Sequence, residues 1–250
     1  MIPKIIHYSW FSGDPYPEWI EDCIRTWKEL LRDYEFVLWD RASLAQIDSS
    51  FVHEAVSVRK WAFAADYVRL YALYHQGGVW LDTDVEMFRP FDAVLDCDMF
   101  IGKESWPDSD GHVYLTSHCF GSVPGHPFVK ECLDYYTDRH FILPQSDERG
   151  TSGLDMTTIS RMQAEKARAY GFDWEGKHMD KSQTLSNGVR VYPSYCFCRP
   201  QYTSMNKVFC IHRCAGAWRD KEGDGRSLTE PKTMTLKIRV WRILHKLHLK

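Results

Sequence analysis

Apolar positions along the chain fall into two rhythms. Ile20, Cys23, Ile24, Trp27 and Leu31 recur every three or four residues and predict a helix from about Pro17. A stronger stripe, Trp61, Ala65, Val68 and Ala72, predicts a helix over Lys60–His75, with Gly77 placed to stop it as a left-handed cap. Pro127–Tyr136 and Leu154–Tyr170 read as further helices, and Ser43–Val58 as weakly helical. Short apolar runs bounded by turn residues predict strands at Lys4–Tyr8, Glu35–Leu38, Val79–Leu81, Met99–Ile101, Cys119–Ser122, Val189–Tyr192 and Val208–His212. Strands alternating with helices imply an α/β domain with a largely parallel sheet. Such sheets gather ligands beyond the carboxyl ends of their strands, which is where Asp82 falls.

Two acids stand there together, in Asp82-Thr83-Asp84, directly after Val79-Trp80-Leu81. On a regular strand residues two apart share a face, so both carboxylates can meet one ion. A hard divalent cation, Mg²⁺ or Mn²⁺, takes such oxygens and commonly bridges them to phosphate. Left alone, the pair would repel and one acid would hold its proton. The alternative is a solvated acidic turn. Asp66 and Arg69 share one face of the helix that leads into this strand. They read either as a surface ion pair or as groups for a sugar hydroxyl and a phosphate oxygen.

Composition narrows the function classes. Hydrophobic residues make up 44% and charged residues 26%, enough for a sizeable core in one ordinary domain of 250 residues. Net charge is −3, yet Lys232, Lys237, Arg239, Arg242, Lys246 and Lys250 close the chain with no acid among them. The preceding body is therefore distinctly acidic, which argues against nucleic acid as a partner. In that tail Leu236, Val240, Ile243, Leu244 and Leu247 keep helical spacing beside Trp241. Residues 232–250 thus read as a basic amphipathic helix, lying on an anionic membrane or packed on protein. The eight cysteines and a start that runs straight into a strand suggest a reducing, cytoplasmic setting with free thiols, peripheral to the membrane at most. Cys196, Cys198, Cys210 and Cys214 around His212 lack the paired spacing of structural zinc sites.

Taken together, Arg59–Tyr71 and Gly77–Val85 resemble the core signature of glycosyltransferase family 32, which includes capsular polysaccharide synthesis proteins and initiation-type mannosyltransferases. The likeness extends to Ile2–Trp10, to Gly121–Phe128 and to the closing run from Cys210-Ile211-His212 to Gly216-Ala217-Trp218. The resemblance implies a GT-A fold over residues 1–231, with a nucleotide-binding half to about 105 and an acceptor half from about 106. It implies a nucleoside diphosphate sugar donor, a saccharide or lipid-linked acceptor, retention of anomeric configuration and a role in surface polysaccharide synthesis. Donor contacts would come from His7, Trp10, Asp66, Arg69, Gly78 and Trp218, and metal contacts from Asp82, Asp84 and His212. Ala217 departs from the family's usual serine, which removes one hydroxyl from the diphosphate clamp.

Asp82 and Asp84 are therefore the expected catalytic acids, holding the ion that offsets charge on the departing diphosphate. Asp155 is a candidate for the sugar's reacting face, against a plain role as a helix N-terminal acid. Two rivals remain: a haloacid-dehalogenase-like phosphatase, whose Asp-x-Asp normally continues into Gly-Thr where this chain has Val85-Glu86, and a non-catalytic nucleotide-sugar-binding module.

Overall fold

The computed structural model describes residues 1–144, 153–176, 178–199 and 207–214, together with Val240 and Ile243. Elements follow in the order β1 (Ile5–Ser9), α1 (Glu18–Leu30), β2 (Glu35–Trp39), α2 (Ser50–Ser57), α3 (Trp61–Gln76), β3 (Gly78–Leu81), β4 (Val85–Met87), β5 (Met99–Lys103) and β6 (Leu115–Ser122). Then come α4 (Pro127–Asp134), α5 (Ile159–Ala167), β7 (Gln183–Thr184), β8 (Arg190–Tyr192), α6 (Ser194–Phe197) and β9 (Cys210–His212).

Seven strands form one sheet in the order β2-β1-β3-β6-β5-β8-β7. β2, β1 and β3 are mutually parallel, β6 runs against both β3 and β5, β8 is parallel to β5, and β7 is antiparallel to β8. Five strands thus share one direction, as the alternating pattern predicts, and the carboxyl ends of β1, β2, β3 and β5 lie at one edge. β4 and β9 form a separate two-stranded antiparallel sheet in which Val85 faces His212.

Alternation along β3 divides the core. Trp80 packs with α2, α3, α4 and α5, whereas Val79 and Leu81 pack on the opposite face with α1, β4 and α6. Helix α3 is buried on most sides because it sits between the sheet and its neighbouring helices. It ends at Gly77, whose φ of 67° and ψ of −164° lie in a region essentially reserved for glycine, rather than in the left-handed cap expected. A Cβ there would stand 2.6 Å from Pro124 Cδ, and one on Gly78 would stand 2.6 Å from the carbonyl oxygen of Ile5. The Gly-Gly pair lets β3 start hard against β1.

Two expectations need correction. The helix predicted over Leu154–Tyr170 begins only at Ile159, with extended Thr158 at its cap and a 3₁₀ turn over Arg168–Tyr170. Asp82-Thr83-Asp84 is a turn between β3 and β4, closed by Val85 N–H donating to the Asp82 carbonyl at 3.0 Å, and not part of a strand. Of the tail, Val240 and Ile243 are helical and exposed, at 41% and 61%. No helix among the described residues is long and apolar enough to cross a membrane.

Candidate functional site

The carboxyl edge of the main sheet collects the chemistry. Asp82 follows β3 and is anchored there by its N–H donating to the His118 carbonyl on β6 at 2.9 Å. Its Oδ1 accepts from the Trp80 indole at 2.8 Å and lies 3.4 Å from Arg69 Nη2. The same Nη2 is 3.0 Å from Asp66, Nε donates to the Ala65 carbonyl at 3.2 Å, and Nη1 donates to the Ser117 carbonyl. All three guanidinium nitrogens are engaged, in a side chain only 4% exposed. In this arrangement Arg69 ties α3 and β6 to Asp82.

Asp66 is buried beside it, and burial pushes its carboxyl up to about 7, against the pull of Arg69 and with a further push from Asp82. The N–H of Ile159 also reaches Asp66, so the carboxyl meets the N-terminus of α5.

Asp84 is held from the other side. The small sheet brings His212 Nε2 to 3.2 Å from Asp84 Oδ2. Helix α1 fixes β4 through the Trp27 indole on the Val85 carbonyl at 2.7 Å and through the Thr26 hydroxyl, which accepts from Met87 N–H at 2.9 Å. One ligand atom from each of Asp82, Asp84 and His212 lies within 4.8 Å of the others. Burial opposes a charge on His212, but Asp84 and Cys214, with a hydrogen bond to the Cys198 sulfur, hold its imidazole well above the usual range. His118 stacks on that ring at 4.0 Å; burial, then the neighbouring imidazolium, keep it neutral, with Nε2–H on the Phe197 carbonyl at 3.1 Å. Two carboxylates and an imidazole are a donor set that suits Mn²⁺ or Mg²⁺, the nitrogen favouring Mn²⁺.

Other expected residues take different parts. His7 is wholly buried; its Nε2–H donates to the Gly77 carbonyl at 2.9 Å and its Nδ1 accepts from the Trp39 indole at 3.2 Å. With both nitrogens engaged it has nothing to offer a donor, so the donor role expected for it is corrected to bracing the α3–β3 corner. Gly78 lets β3 approach β1. Trp10 sits half-exposed past β1, packed on Tyr16 at 4.7 Å between ring centroids, with its indole on the Asp14 carbonyl at 2.7 Å. Asp155 precedes α5 and accepts from Arg139 Nε at 2.5 Å and from Thr157 N–H at 3.1 Å. Burial would raise its pKa, but Arg139 and Thr157 hold it below the ordinary carboxylate value. A carboxylate so tied is a poor nucleophile, and the catalytic expectation for Asp155 gives way to a structural one. Trp218 and Ala217 lie outside the described residues.

Sequence reasoning missed Glu104, which leaves β5 at the same edge. Burial raises its pKa, and His212 and Asp82 both bear on its charge. Its one signal was position: an acid immediately after an apolar strand.

Residues 17–103, which include Asp66, Arg69 and both motif acids, match the family model described as the glycosyltransferase sugar-binding region containing DXD motif. An inositol phosphoceramide mannosyltransferase of Schizosaccharomyces pombe is 31% identical over 139 residues, covering 53% of this chain and 36% of that protein. A mannosyl phosphorylinositol ceramide synthase of Saccharomyces cerevisiae is 29% identical over 163 residues, covering 61% and 40%. A human alpha-1,4-N-acetylglucosaminyltransferase is 26% identical over 113 residues, covering 45% and 28%. The chain thus spans well under half the length of these curated relatives. Among solved structures, the PaToxG glycosyltransferase is similar at 17% identity and a TM-score of 0.46, covering 68% of this chain and 70% of its own. The Schizosaccharomyces and human relatives are named as glycosyl-transferring enzymes, and the phosphatase reading is not favoured.

Proposed function

We propose that the chain transfers a hexose from a nucleoside diphosphate to a hydroxyl of a saccharide or lipid-linked oligosaccharide, using a divalent cation. The observation that supports this most directly is the convergence of Asp82, Asp84 and His212 at the carboxyl edge of a mostly parallel sheet. Mannose is the first donor sugar to try, because the yeast relatives are named for its transfer. The resemblance to capsular synthesis proteins supports a surface polysaccharide as product.

Asp84 and His212, with Asp82, would hold the cation, which when bound supplies Lewis-acid stabilisation of the diphosphate leaving group. The protein's own part is to keep these side chains in place before the donor arrives. Arg69 and Trp80 fix Asp82 from below, and the β4–β9 pair fixes Asp84 against His212. Such preorganisation spares reorganisation during the reaction. Asp66, titrating near neutral pH, can accept from or donate to a hydroxyl at the sugar position. Residues 232–250 supply membrane contact in this reading, supported by the exposure of Val240 and Ile243.

A panel of UDP-, GDP- and ADP-linked hexoses, tested for hydrolysis with and without Mn²⁺, decides the matter. One donor should turn over with Mn²⁺ and stop in EDTA. Turnover that ignores chelation, or release of phosphate from simple monoesters instead, would overturn the reading. Sedimentation of the chain with anionic vesicles, lost on truncation after Pro231, tests the tail.

A further inference from the structure

The segment that leaves β5 has a use not yet accounted for. β5 and β3 point the same way on either side of β6, so Glu104 emerges at the edge where Asp82 stands. The Glu104 N–H donates to the Tyr114 carbonyl at 2.8 Å, closing the base of the loop. Cys198 bridges this segment to the metal-ligand strand. Its thiol donates to Glu104 Oε2 at 3.7 Å and accepts from the Ser105 hydroxyl at 3.2 Å, while its carbonyl accepts from His212 N–H at 3.0 Å. Two residues on, Trp106 is 68% exposed, the only tryptophan in the exposed class among the described residues. The Arg199 guanidinium lies 5.3 Å from its ring centroid and steadies the ring while leaving most of it open. Arg199 directly follows Cys198, whose carbonyl holds the His212 N–H, which places the Trp106–Arg199 pair at the rim of the same site.

We propose that Glu104 and Trp106 form the acceptor subsite and that it takes a saccharide, the indole stacking on the apolar face of a pyranose while the Glu104 carboxylate accepts from one of its hydroxyls. The inference rests on the transferase reading. A pyranose offers one apolar face rimmed by hydroxyl donors, and this segment offers one open aromatic face with an acceptor two residues away. An acyl chain would instead call for apolar surface in place of Arg199 and Glu104.

The test is saturation-transfer NMR with methyl α-D-mannopyranoside, methyl α-D-glucopyranoside and methyl β-D-galactopyranoside, on the whole chain with Mn²⁺ and nucleoside diphosphate. The wild type should transfer saturation to at least one glycoside. Trp106→Ala should weaken that glycoside about ten-fold and Trp106→Phe by no more than about three-fold, as expected for a lost against a reduced ring face. Glu104→Gln should weaken it about five-fold, the size of one lost charge-assisted hydrogen bond. Calorimetry of nucleoside diphosphate with Mn²⁺ runs alongside. If the nucleotide binds but no glycoside does, or if Trp106→Ala matches the wild type, the acceptor subsite is rejected while the transferase reading stands. If the wild type binds no nucleotide with Mn²⁺, both fall.

Discussion

Asp82 and Asp84 are separated by one residue, yet they are held by two differently built regions. Asp82 belongs to the main sheet. Its partners, Trp80, Arg69 and the His118 carbonyl, come from β3, from the helix just before it and from the adjacent strand. Asp84 belongs to the small sheet, and its partner His212 arrives from far along the chain on β9. The first region is a buried charge network that the fold needs. The second is an acid–imidazole pair in which Asp84, 10% exposed at its side chain against 28% for Asp82, sits among mutually close ligand atoms. The contrast teaches that the motif acids should fail differently: damage around Asp82 should appear as lost stability, and damage around Asp84 as lost metal affinity in a folded protein.

The largest effect should come from Arg69→Met. It leaves the buried Asp66 carboxyl and part of Asp82 without their cation, and should cost about 3–5 kcal/mol of stability in urea unfolding. A folded variant with only its Mn²⁺ dependence changed would break the comparison. Asp84→Asn should lower Mn²⁺-dependent donor turnover by about 100-fold or more in a protein that still folds.

His7 gives the stability side a pH signature. Burial pushes its imidazole down to about 4, against a contrary pull from the Gly77 carbonyl, while the unfolded chain titrates near 6.5. Between those values the unfolded state binds more protons, so stability is full above pH 6.5 and falls as pH drops towards 4. The loss should approach about 3 kcal/mol, and His7→Phe should flatten that part of the urea-midpoint profile. The smallest effect expected is from His212→Gln. Mn²⁺ half-saturation should rise about ten-fold, with turnover recovered at higher Mn²⁺.

Much of the architecture was legible in sequence because it rests on local rules. Trp61, Ala65, Val68 and Ala72 announce α3, and the Gly-Gly pair marks its end. Val79-Trp80-Leu81 announces β3, whose carboxyl end is where α/β sheets take ligands. The convergence of Asp82 and Asp84 was foreseen, but from strand alternation; a turn closed by the Val85 N–H is what carries it. Asp66 and Arg69 were visible as a pair. That Arg69 reaches Ser117 and Asp82 depends on β6 packing over it, which helical spacing cannot show. Asp155 misled for a related reason: an acid near a helix start looks available until Arg139 is seen to close on it.

By itself, the sequence determined the α/β pattern, the acid pair past β3 and the helix that feeds it, since each follows from the periodicity and turn chemistry of neighbouring residues. Tertiary structure alone decided that His7 is a brace, that His212 stands against Asp84, and that Glu104 and Trp106 share their edge of the sheet. Those facts require strands distant in sequence to pair, and the direction in which a side chain then points is set by its partner's register, which no local spacing encodes.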